Sequence, residues 1–323
     1  MKNKQLARAC ALAVAGMCLV GPTHAQTYTA WGNPVPVTIN TSSASEGCPI
    51  ESPDGLGLYI ASNRPGGAGN LDIWRALRTS IHASWGPAEN LGPVVNTRDA
   101  DYCPTPMRGR WLAFVSSVDP ETDDDPTNND CKPGPADVPV TSATPVAGDM
   151  YLTQEHPHGW RAPLHLGCFP HGPNTAGFEL SPAFFEAGDG NTYLYFSSNG
   201  YPDSLGQDIY ESRVLADGTV TAGRRVAELS TSADDRMPNV RKDGLEIVFS
   251  SNRSGSAAQD IHVATRASTS HAWNPPVRIA NLLINTASGE TRASLSGDGT
   301  RLYFGRDGDV FVSERQKLRS RRR

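Results

Sequence analysis

The chain has 323 residues, with Gly 31, Pro 25 and 38% hydrophobic residues, a balance that suits many short strands joined by tight turns. No apolar run reaches 18 residues, so no segment reads as a membrane-spanning helix. The formal charge is −5, and setting aside the basic leader and tail described below leaves a body near −14, which speaks against nucleic acid as a partner.

The first 25 residues read as an export signal. Lys2, Lys4 and Arg8 form a positive stretch, Ala11 to Val20 an apolar one, and Thr23-His24-Ala25 a small-x-small cleavage site. Cys18 lacks the surroundings of a lipoprotein signal, so the expectation is a soluble periplasmic or secreted protein.

From Trp31 onward one phrase recurs. An acid opens a Pro-containing strand, a turn follows, then a strand ending in Ser-Ser-Asn or a variant. An Asp-Ile-aromatic strand, a Trp-x-x-Pro turn and a closing Asn-Thr complete it. The acids are Glu46, Asp101, Glu179, Asp235 and Glu290; the closing threonines are Thr41, Thr97, Thr175, Thr231 and Thr286. Strands such as LYIAS, LYFSS and IVFSS alternate as half-buried strands do. Pro-Asp-Gly, Lys-Asp-Gly and Gly-Asp-Gly mark hairpin turns. The second copy is longer by about 22 residues, which sets an insertion at 118–147. The fifth copy lacks its closing segment, and Trp31 to Thr41 supplies one from the other end of the chain. Such an exchange closes a ring and removes an exposed edge. The expected fold is therefore all-β: a five-bladed β-propeller of four-stranded antiparallel blades over residues 26–314, closed by an N-terminal strand, with a basic tail at 315–323.

The Ser-Pro-Asp-Gly, Ser-Asn-Arg-x-Gly-Gly and Asp-Ile-Trp phrases resemble the WD-like repeats of TolB-type propellers. The resemblance covers Trp31 to Glu314 and departs from pattern in blade two, where Met107-Arg108-Gly109-Arg110 replaces Ser-Pro-Asp-Gly. It implies an exported protein, many of whose kind bind or scaffold at the cell envelope, while others are fused to enzymes. Fold alone does not choose between these.

The five acids are expected to encircle one mouth of the channel, with Arg236 and Arg292 close by to neutralise part of their charge. Unit charges ~10 Å apart in a dielectric of ~20 repel by roughly 1.7 kcal/mol, so the ring calls for water, donors or a cation. Either each acid accepts hydrogen bonds from turn amides of its own blade, or the ring holds a cation or a cationic group. Glu51 stands where Pro106, Phe184, Val240 and Leu295 stand in the other copies. Either it is a candidate general acid or base, or a local register shift turns Ile50 inward instead.

In the insertion, Asp119, Glu121 and Asp123 place oxygen at every second position, as Ca²⁺ would accept, though without EF-hand spacing. His165 and His171 flank Cys168 and suggest a transition-metal site. No other cofactor is indicated. Four cysteines remain after processing, and the favoured pairings are Cys48 with Cys103 and Cys131 with Cys168. No Gly-x-Ser-x-Gly elbow, His-Glu-x-x-His, Walker loop or dinucleotide fingerprint occurs.

The leading expectation is a monomeric, non-catalytic binding or scaffold protein whose partner is an envelope protein or glycan. Its alternative is a carbohydrate-active enzyme using carboxylates at the central channel; a second alternative is a metal-dependent periplasmic protein.

Overall fold

The computed structural model describes residues 28–117, 131 and 148–318. The signal at 1–25, the candidate ligands Asp119, Glu121 and Asp123, and the end of the basic tail lie outside them.

The chain is a five-bladed β-propeller. A short strand β1 (Val35–Pro36) precedes blade one, which is β2 (Glu46–Glu51), β3 (Gly57–Ser62), β4 (Asp72–Leu77) and β5 (Ala88–Asn90). Blade two is β6 (Asp101–Pro106), β7 (Trp111–Ser116), β8 (Asp149–His156) and β10 (Leu164–His165), with β9 (Gly159–Trp160) folded back on β8. Blade three is β11 (Glu179–Glu186), β12 (Thr192–Ser198), β13 (Asp208–Val214) and β14 (Arg224–Arg225). Blade four is β15 (Asp235–Val240), β16 (Glu246–Ser251), β17 (Asp260–Thr265) and β18 (Val277–Arg278). Blade five is β19 (Thr291–Leu295), β20 (Arg301–Arg306) and β21 (Asp309–Glu314), finished by β1.

The ring closes as the repeat requires. Val35 pairs with Val312 and Pro36 with Phe311, and the Asn40 side chain both accepts from Val310 N (3.0 Å) and donates to its carbonyl (2.9 Å). Asn96, Asn174 and Asn285 grip Ile73, Met150 and Ile261 in the same two-sided way. The recurrent closing asparagine thus replaces the missing ladder partner of the third strand in four blades, and Ser230 does so for Ile209 in blade three. Apolar side chains then fill the space between blades. Phe185, Tyr195 and Val226 of blade three, for example, pack with Ile247, Phe249 and Trp273 of blade four.

Every inner strand carries a β-bulge just after the residue that follows its repeated acid. At that point Cys48, Cys103, Ser181, Met237 and Arg292 adopt left-handed backbone, with φ between 50° and 58°. Such conformations are strained for residues other than glycine and persist here because the bulge re-aims the side chain. The register shift considered for Glu51 is therefore a property of all five blades, and it buries Ile50 and Glu51 together.

Candidate functional site

The repeated acids join blades. Each carboxylate is buried and accepts hydrogen bonds from the threonine that ends the preceding blade. Glu179 accepts from Thr175 N (3.0 Å) and Thr175 Oγ1 (2.6 Å). Asp235 takes Thr231 N (2.6 Å) and Oγ1 (2.7 Å), and Glu46, Asp101 and Glu290 take Thr41, Thr97 and Thr286 likewise. A serine at the end of the second strand adds a further donor in three blades: Ser62, Ser198 and Ser251. The satisfying amides belong to the neighbouring blade's closing turn, not to the acid's own blade. The ring of charge is thereby dispersed into five local clasps.

The clasps differ in charge balance. Arg64 lies 3.0 Å from Glu46 and Arg253 lies 2.5 Å from Asp235; Arg306 stands 3.7 Å from Glu290. Among the described residues, Asp101 and Glu179 have no arginine partner. Burial pushes Glu179 up to about 8 and Asp101 up to about 6, against the opposing pull of their hydroxyl and amide donors. Arg236 does not pair with the acid beside it; its Nε is buried without a hydrogen-bond partner, and burial lowers its pKa.

A second repeated contact accounts for His165. The aspartate that opens the third strand meets a donor on the fourth: Asn90 to Asp72, Arg225 to Asp208 and Arg278 to Asp260. In blade two the donor is His165, with Nε2 2.8 Å from Asp149 Oδ2. Gly167 N donates to His165 Nδ1 (3.1 Å), which fixes the proton on Nε2. Cys131, Cys168 and His165 do bring ligand-type atoms within 4.8 Å of one another. However, Cys131 and Cys168 are joined as a disulfide, and the imidazole nitrogen nearest them carries a proton. This arrangement suits a structural anchor better than a metal centre. His171 is exposed and stands outside the cluster.

Glu51 is held by partners from the far side of the ring closure. Arg301 of blade five binds both its oxygens (2.9 and 2.6 Å), Tyr303 donates its hydroxyl at 2.8 Å, and Arg78 stands 3.2 Å away. Buried and paired in this way, Glu51 clamps blade one to blade five and presents no oxygen to a substrate. Cys48 and Cys103, expected as a bridge, are instead two thiols. Cys131–Cys168 is the bridge that forms.

Sequence reasoning passed over a pocket of about 260 Å³ between blades three and four, at the end opposite the clasps. Tyr195, Glu211 and Arg224 stand in one cross-strand row of β12, β13 and β14, so their side chains share the face turned toward blade four. Tyr195 donates its hydroxyl to Glu211 Oε2, and Arg224 lies 3.7 Å from Glu211 Oε1. Burial pushes the Tyr195 phenol above its ordinary range, so it remains a donor. Phe185 and Tyr193 stack with ring centroids 5.3 Å apart, and Trp273 meets Tyr195 edge-on at 6.2 Å. Arg266 lies over Trp273 at 4.2 Å and donates Nε to Gly244 O, while its buried Nη2 finds no acceptor. Glu228, Ser270 and His271 form an exposed rim. Glu211 was detectable in principle: its counterparts facing the second strand are Arg75, Leu152, Val263 and Val312, so it is the one acid in that row.

No protein-family model matches the chain, and no curated protein does. Among solved structures, the chain is similar to an endo-arabinase from Bacteroides thetaiotaomicron, at 14% identity and TM-score 0.53, over 90% of this chain and 99% of that one. It is similar to a family-43 endo-arabinanase from Bacillus licheniformis, at 13% identity and TM-score 0.51, over 87% and 96%. A family-62 α-L-arabinofuranosidase domain from Coprinopsis cinerea matches at 11% identity and TM-score 0.52, over 90% and 98%. These identities show a shared fold. The three neighbours are carbohydrate-cleaving enzymes, a finding that corrects the expectation of a non-catalytic scaffold; the likeness itself shows the fold alone.

Proposed function

We propose that this protein is an exported carbohydrate-active enzyme of the glycoside-hydrolase kind, and that it takes its glycan in the pocket between blades three and four. The observation that carries this reading is the cross-strand row Tyr195–Glu211–Arg224, which sets an anchored carboxylate within an aromatic-walled cavity. The channel acids expected for that role are buried in blade clasps, so the chemistry moves off the axis. Aromatic faces suit the apolar faces of sugar rings. Glycoside cleavage needs one carboxylate to carry or stabilise charge and a second group to protonate the leaving oxygen. Glu211, oriented by Tyr195, serves as the first; Glu228 on the rim serves as the second.

The experiment is turnover of aryl furanosides, aryl pyranosides and arabinan oligosaccharides by the parent, Glu211→Gln and Glu228→Gln. Loss of a positioned acid–base group lowers rates by about 10²–10⁴, so Glu228→Gln is expected to lose at least a hundredfold in kcat with KM little changed, and Glu211→Gln, which removes the charge-carrying carboxylate, at least as much. Turnover that survives Glu211→Gln, or an inert parent whose Trp273 fluorescence ignores every oligosaccharide, overturns the proposal.

A further inference from the structure

The bulges place two thiols side by side at the propeller axis, and neither the fold nor the pocket uses them. Cys48 and Cys103 occupy the same left-handed position in neighbouring inner strands, both with φ of 50°. Their Sγ atoms lie 3.0 Å apart, and Ser181 Oγ donates to Cys103 Sγ at 3.3 Å. Arg292, from the same position in blade five, is fully buried. Its Nη2 reaches Pro104 O (3.2 Å) and Thr105 Oγ1 (3.0 Å) in blade two, while Nε and Nη1 find no acceptor. Among the described residues no carboxylate forms an ion pair with it. A buried guanidinium without a counter-charge is strongly unfavourable. The thiols are the groups that can answer it: burial raises Cys103, but the Cys48 hydrogen bond, then Arg292 and the Ser181 donor, outweigh it and draw Cys103 down to about 6, while Cys48 is held well above the ordinary thiol range by that same hydrogen bond and by burial.

We propose that Cys48 and Cys103 are a redox couple: a dithiol stabilised by Arg292 that a small peroxide closes into a disulfide between blades one and two. The Cys103 thiolate attacks a peroxide oxygen; an S–O bond forms, the O–O bond breaks, and the departing hydroxide takes up a proton. Cys48 sulfur then attacks the sulfenic sulfur; an S–S bond forms, the S–O bond breaks, and the hydroxyl leaves as water with the Cys48 proton. Two electrons pass from the sulfurs to the peroxide, and with hydrogen peroxide the products are one disulfide and two waters. Cys48 and Met237, the axial side chains that keep partial exposure, mark the route of access. Because Arg292 favours the thiolate, it stabilises the reduced form and makes the bridge easy to reduce. Cys131–Cys168 is already closed and serves as an internal reference.

The test is peptide mass mapping of the folded protein after hydrogen peroxide, with denaturation and alkylation only after quenching. The expected result is a Cys48–Cys103 cross-linked peptide, and a dimedone adduct on Cys103 in Cys48→Ser. In Arg292→Met the dithiothreitol concentration that half-reduces the bridge should rise at least tenfold, while Arg292→Lys, which keeps the charge, should stay near the parent. Two thiols that remain alkylatable after excess peroxide overturn the couple; that result comes from the parent and does not depend on a variant folding. A dithiothreitol midpoint unmoved in Arg292→Met overturns the role of the arginine.

Discussion

Blades one and four and blades two and three solve the same problem with different chemistry. In blades one and four the Ser-Asn-Arg phrase sends Arg64 or Arg253 back onto the buried acid, and its Nη2 also donates to the carbonyl of Ile39 or Leu229. In blade three the same phrase reads Ser-Asn-Gly, and Gly200 fits so closely that a Cβ there would lie 1.9 Å from Thr175 Oγ1. Blade two departs into its insertion after Ser117. One pair of clasps is a closed ion pair; the other, among the described residues, is a carboxyl without a cation, held by hydroxyls and amides. A repeat thus preserves a contact while changing how that contact responds to pH.

The largest expected effect comes from breaking the arginine half. Arg253→Met leaves Asp235 buried with only Thr231 and Ser251 for support, and removing one partner of a buried pair costs about 3–5 kcal/mol. Urea unfolding measures it, and a loss under ~1 kcal/mol would erase the distinction between the two kinds of clasp. The arginine-free half should instead show itself in pH. Glu179 titrates at about 8 in the folded chain, above an ordinary carboxyl value of 4.5. Between those values the folded state holds a proton that the unfolded state has released. Stability therefore is full below about 4.5, falls as pH rises, and levels off above about 8. Each pH step of one between those limits is worth ~1.4 kcal/mol, so the decline is on the order of a few kcal/mol. Glu179→Gln should flatten it, and denaturant midpoints across pH 5 to 8 provide the measurement. An equally steep decline in the variant would place the titration elsewhere. Asp101, raised from 3.8 to about 6, should leave a smaller residual decline that ends near pH 6.

How much of this was legible beforehand depends on the distance over which each contact is made. The five blades, the borrowed β1 and the recurring acids follow from a repeated phrase, since spacing and turn chemistry are local properties. The fate of the acids does not. Glu179 and Thr175 are four residues apart in sequence, yet only the ring geometry reveals that this short step crosses from one blade to the next. Glu51 looked anomalous because its partners, Arg301 and Tyr303, stand 250 and 252 residues away. Glu211 was hidden for a different reason: an acid on a half-exposed strand is unremarkable until its row is seen to face Trp273. His165 looked like a ligand because its type was read without its register; aligned with Asn90, Arg225 and Arg278, it is one more donor to a repeated aspartate.

The smallest effect tests the comparison from the donor side. Thr175 and Thr231 make the same two hydrogen bonds to their acids, through N and through Oγ1. Replacing either by valine keeps the shape and the amide and removes only the hydroxyl. A hydrogen bond to a buried group is worth about 1 kcal/mol net, and more when the acceptor is left short of donors. In blade four Asp235 still has Ser251 and both contacts from Arg253, so Thr231→Val should cost under ~1 kcal/mol. In blade three Ser198 is, among the described residues, the only remaining side-chain donor to Glu179, so Thr175→Val should cost about 1–2 kcal/mol. Above about pH 8, where Glu179 is ionised, the gap should also narrow once Glu179 is Gln, because the pair then couples without a charge; a double-mutant cycle reads that difference. Equal costs in the two blades, or a greater cost in blade four, would mean that the arginine does not share the load, and that the two halves of the ring differ in sequence without differing in energy.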